Sequence, residues 1–184
     1  MKHAMKLAAA ALATLLLSSG ACAAPEKSSE EIKRGIVDAV RRYANAISCP
    51  GVKVRNEDVL TLEPGEEDDR RMSKYAVLWT GDLGCFGGPG IEATHLAIAT
   101  VSSGKYIVDP RLSSPVVEFE SPVRYVKRVV SYNEESMTLQ GNVFGPQDKA
   151  GNPSIPVRFT VKLDGKGNWK LTDKRVLPLG TVGG

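Results

Sequence analysis

Residues Tyr75-Ala76-Val77-Leu78-Trp79 form an apolar run with no polar position in it. Successive side chains of a strand point to opposite faces, so a strand of this kind has to be covered on both sides. A second apolar run, His95 to Val101, follows the glycine-rich stretch Thr80-Gly81-Asp82-Leu83-Gly84-Cys85-Phe86-Gly87-Gly88-Pro89-Gly90; in it Leu96 and Ile98 alternate with the smaller Ala97 and Ala99. The two runs read as core strands joined by a tightly held loop. Whatever fold the chain adopts must bury the first of them from above and below.

One cover is readable upstream. Ser28 and Glu31 have the spacing of a capping box, in which the serine hydroxyl accepts from a backbone N–H and the glutamate reaches back. Ile32, Ile36, Val40, Tyr43, Ala44 and Ile47 then recur at steps of three and four, with Lys33, Arg34, Arg41 and Arg42 on other faces. The pattern predicts an amphipathic helix of about 18 residues that stops before Cys49-Pro50-Gly51. Its basic face reads as solvated.

The remaining segments read as strands. Val52–Val54 and Val59–Leu62 are two short ones, and Ser102-Ser103-Gly104-Lys105 is a hairpin turn into Tyr106-Ile107-Val108. Four more follow at Val123–Tyr132, Met137–Phe144, Ile155–Leu163 and Trp169–Val176, the third with apolar residues at every other position. The expected architecture is α+β, an N-terminal helix packed on a twisted, mainly antiparallel sheet of about seven strands, in the manner of cystatin-like or nuclear-transport-factor-like folds. A β-sandwich with an accessory helix is the alternative. No internal repeat or dividing linker interrupts residues 24–184, which read as one domain.

The N-terminus reads as a signal peptide over residues 1–23: Lys2 and Lys6, an apolar run from Leu7 to Leu17, and the small residues Ala21-Cys22-Ala23. A lipid anchor on Cys22, within Ser19-Gly20-Ala21-Cys22, is the rival reading. The run is shorter than a membrane-spanning helix needs, and the compartment expected is periplasmic or secreted. Without the leader, 22 basic residues stand against 21 acidic ones, with no basic block to suggest nucleic acid. Cys49 and Cys85 are then the two remaining cysteines, and an even count in an oxidising compartment predicts a disulfide.

Two segments together resemble a known group. Trp79-Thr80-Gly81-Asp82 with a Cys-Gly loop before an apolar strand, and Phe144-Gly145-Pro146-Gln147-Asp148 followed by Pro153-Ser154, are similar to small exported bacterial proteins and lipoproteins of the LppP/LprE-like kind. A cysteine pair often precedes the Pro-Ser in that group, whereas Gly151 and Asn152 stand here. The resemblance implies localisation and architecture, and no reaction.

Chemistry is sparse. His95 is the one histidine beyond the leader, which excludes any site built on two imidazoles. A serine nucleophile assembled with His95 and Asp82 or Asp109 has no Gly-x-Ser-x-Gly elbow behind it, and Asp82, Glu92, Glu118 and Glu120 are the acids from which a carboxylate pair could be drawn. The acidic run Glu66–Asp69 lacks the alternating spacing of a calcium loop. No metal, cofactor or catalytic set is implied. The reading is therefore an exported, non-enzymatic binding protein, an inhibitor or immunity-type partner of another envelope or secreted protein. Its recognition loop would present Phe86 on Gly87 and Gly88, with Arg111 and His95 as polar neighbours. The alternative is a small-ligand carrier or hydrolase whose pocket is walled by Tyr106, Tyr125, Phe159 and Trp169 beside His95.

Overall fold

A computed structural model describes residues 28–63, 73–85, 92–102, 104–149 and 151–178. The leader with Cys22, the acidic run at 66–69 and Phe86, Gly87 and Gly88 lie outside the described residues.

The capping box forms as read: Ser28 Oγ accepts from the Glu31 N–H at 3.2 Å, and Glu31 returns a carboxylate to the Ser28 N–H at 2.8 Å. Helix α1 runs Ser29–Ile47 and buries Ile36, Val37, Val40 and Ala44. Eight strands follow: β1 (Lys53–Glu63), β2 (Lys74–Gly81), β3 (Ala93–Ser102), β4 (Lys105–Asp109), β5 (Val126–Tyr132), β6 (Ser136–Val143), β7 (Ile155–Leu163) and β8 (Trp169–Val176).

They do not form one sheet of about seven strands. Each run of four makes its own antiparallel meander, β1-β2-β3-β4 and β5-β6-β7-β8. The molecule is thus α+β in three layers, helix on sheet on sheet, closer to the sandwich alternative than to a single curved sheet. The two short strands expected at Val52–Val54 and Val59–Leu62 are one strand, β1, whose pairing with β2 breaks register between Val54 and Val59.

The chain splits into two sheets because it leaves the first after β4. A 3₁₀ turn at Pro110–Leu112 brings Ser113 and Ser114 beside β3. Their hydroxyls accept from the backbone N–H groups of Ile98 (2.9 Å) and Leu96 (3.3 Å), and the Ser114 N–H donates to the Leu96 carbonyl. These donors and acceptors would otherwise be buried unpaired. Tyr43 of α1 donates to the Ser114 carbonyl at 2.8 Å, fastening the helix to the same segment. The edge of β3 is closed there, so β5 starts a new sheet.

The unbroken apolar strand lies in the middle layer, as its composition demands. Ala76 and Leu78 of β2 join Leu96 and Ile98 of β3 in a core against Met137, Leu139, Phe159 and Trp169 of the second sheet. Tyr75, Val77 and Trp79 face the other way, into a core with α1. On that side β3 presents Ala97 and Ala99, small enough for the helix to sit close.

Candidate functional site

Cys49 follows the helix C-cap and Cys85 follows β2; the two are joined, with Cα atoms 5.3 Å apart. The approach to Cys85 is built by Asp82, whose Oδ1 accepts from the Gly84 and Cys85 N–H groups, both at 3.0 Å. The Asp82 carbonyl accepts from the Cys49 N–H. The end of α1 is thereby held against the exit of β2 by a covalent bond and a hydrogen bond together. What this pin presents beyond Cys85, Phe86 included, falls outside the described residues.

His95 stands opposite Trp79 on the helix side of the first sheet, with ring centroids 4.6 Å apart. Its Nε2 donates to the Gly81 carbonyl at 3.1 Å, the direction an oxygen acceptor imposes. Burial pushes its pKa below the ordinary histidine value, against the Gly81 carbonyl and the Asp82 charge. The acids considered as its partners are engaged elsewhere. Asp82 caps its loop, and Asp109 accepts from the Arg111 backbone and guanidinium at 2.9–3.1 Å. Glu118 and Glu120 both accept from Lys170, and Glu120 also accepts from the Leu171 N–H.

Arg111 is not brought to His95. It projects from the 3₁₀ turn, largely exposed, with its fork closed on Asp109. The four aromatics also separate: Phe159 and Trp169 are fully buried between the sheets, Tyr106 packs against α1, and Tyr125 alone lines a cleft of appreciable size. His95 lines none of the three described clefts.

A different surface is assembled instead. Directly paired residues of antiparallel strands share a face. On the second sheet the register aligns Arg128 of β5 with Gln140 of β6, Gln140 with Arg158 of β7, and Arg158 with Arg175 of β8. The adjacent residues Leu139, Val157 and Phe159 point into the core, so this row points away from it. Helix α1 packs on the first sheet and not on this face of the second.

Lys162 and its paired neighbour Lys170 share this face, which therefore carries Arg128, Arg158, Arg175, Lys162 and Lys170; Asp173 is bonded to Arg175 at 3.1 Å, and Glu118 and Glu120 are bonded to Lys170. Among the described residues neither Arg128 nor Arg158 has an acidic partner. Gln140 lies in the row only 2% exposed, with Oε1 unbonded, and Arg158 Nε is buried without a partner.

Alternation along Ile155–Leu163 already put Arg158 on a solvated face. Its alignment with Arg128 and Arg175 depends on irregularities between Val126 and Arg128 and between Thr160 and Val161, which change which residues of β5 and β8 face out. Nothing in the order of residues announces those bulges. No family model matches the chain, and no curated protein or solved structure matches it either.

Proposed function

We propose that the chain is an exported, non-enzymatic binding protein that docks an acidic partner protein of the envelope or the secreted milieu on the outer face of its second sheet. One observation carries the reading: a row of arginines, two of them without acidic partners among the described residues, on the face of the second sheet turned away from the core. Arginine forks pair with carboxylates two bonds at a time, and such anchors concentrate binding energy. A surplus of one sign also steers an oppositely charged partner into encounter. The Cys49–Cys85 bond and the resemblance to small exported bacterial proteins support the exported half of the reading.

The test is a crosslinking pull-down from the native envelope with the wild-type chain and with Arg128→Ala/Arg158→Ala, whose fold is checked by circular dichroism. The recovered partner should be acidic, should bind the double variant at least tenfold more weakly, and should bind the wild type less tightly as salt rises. A partner held equally by both chains removes the face from the account. The small-ligand reading draws support from one observation, the cleft that Tyr125 lines.

A further inference from the structure

That cleft shares no residue with the arginine row. It lies where the ends of the two sheets part, with a volume of about 190 Å³. The break of register in β1 turns Arg55 and Asp58 out of the regular ladder to form one wall, a use to which strand irregularities are often put. Lys53, Thr80 and Thr94 stand side by side across β1, β2 and β3 as the second wall. Tyr125 and Val126, at the start of β5, close the third side, and Leu78 supplies an apolar floor.

The charges in the cleft are already matched. Arg55 donates from Nε and Nη2 to the two oxygens of Asp58, both at 2.7 Å, and its Nη1 is 3.3 Å from Glu57. Asp58 is 7% exposed, so this pair is a fixture of the wall. Lys53 is 3.2 Å from Glu92. A free anion entering here would compete with carboxylates that are part of the protein.

What is left over is neutral hydrogen-bonding capacity beside apolar surface. Among the described residues Thr80 and Tyr125 make no hydrogen bond through their hydroxyls. Thr94 Oγ1 accepts from the Val126 N–H at 3.0 Å and retains its own proton to donate. Arg55 retains N–H groups not used by Asp58. Hydroxyls, a neutralised guanidinium–carboxylate pair and the apolar surface of Leu78, Val126 and the Tyr125 ring together suit a ligand that has many hydroxyls, no charge and a hydrocarbon face. The volume equals that of about six waters and is smaller than a typical drug-sized pocket, which limits the ligand to one ring.

We infer that this cleft binds a single neutral pyranose, free or at the end of a chain. The full chain, labelled with ¹⁵N, is titrated by NMR with glucose, galactose, mannose and N-acetylglucosamine, and in parallel with inorganic phosphate. At least one sugar should move the amides of Thr80, Thr94, Tyr125 and Val126 saturably. Tyr125→Phe, which keeps the ring, and Thr80→Val, which keeps the shape, should each weaken that binding about three- to tenfold, the worth of one net hydrogen bond. Three results overturn the inference: no saturable shift with any of the four sugars, phosphate moving these amides where the sugars do not, or unchanged affinity in both variants.

Discussion

At His95, burial and hydrogen bonding act in opposite directions. Removal from water disfavours the imidazolium and prevails over the Gly81 carbonyl and Asp82, which favour it. The folded pKa lies below the unfolded one, so the folded state is favoured by neutral histidine. That contribution is complete above the unfolded value of about 6.5 and is lost as pH falls through the depressed folded value. Denaturant midpoints of the wild type and His95→Gln, measured from pH 7.5 to 5, should therefore converge or cross as pH drops, with the wild type losing stability faster. Its extra slope is bounded at about 1.4 kcal/mol per pH unit. Parallel curves would show that His95 protonates equally in both states. The position of this histidine at the start of a core strand was legible from its neighbours, whereas its contact with Trp79 required the pairing of β2 with β3.

Among the elements, α1 shows how far local pattern reaches. Its cap, its length and its buried stripe follow from spacing alone, and the structure agrees within a residue at each end. Gly35 is the exception. Glycine inside a helix costs about 1 kcal/mol relative to alanine, so sequence reasoning would nominate Gly35→Ala as stabilising. A Cβ there would stand 2.1 Å from the Tyr106 ring of β4, in space the ring already fills. Overpacking of this kind typically costs 1–3 kcal/mol, enough to cancel or exceed the gain. Gly35→Ala should leave stability unchanged or lower it by about 1–2 kcal/mol, and in a Tyr106→Ala background the same change should become stabilising. A double-mutant cycle in chemical denaturation reads this directly, and equal effects in both backgrounds would refute it. The constraint was invisible because Tyr106 is remote in sequence. The same is true of the division into two sheets: each hairpin declares itself locally, but the closing of β3 by Ser113 and Ser114 is a long-range event.

For the molecule as a whole, the disulfide and the middle sheet act on different states. The Cys49–Cys85 bond closes a 36-residue separation and limits the unfolded chain; in the chain-entropy model its loss costs about 3.8 kcal/mol. Cys49→Ala/Cys85→Ala should therefore lower the unfolding free energy from denaturant titration by roughly that amount while the folded form keeps its strands, and a change under about 1 kcal/mol would mean the unfolded state is restricted by other means. The middle sheet acts on the folded state. Strand β2 contributes Ala76 and Leu78 to one core and Tyr75, Val77 and Trp79 to the other, so neither core has a wall of its own. Opening the helix side exposes the back of the strands that the second sheet needs, and opening the sandwich strips the surface on which the helix lies. Hydrogen exchange gives this a readable form. Amides of β2, β3, β6 and β7 should share one opening free energy, that of complete unfolding, while the outer half of β8 and the first turn of α1 exchange through smaller openings. A protected second sheet surviving exchange of the first would contradict it. If the energies coincide, damage at either face, by a core substitution or by a bound ligand released, is felt by the entire chain at once.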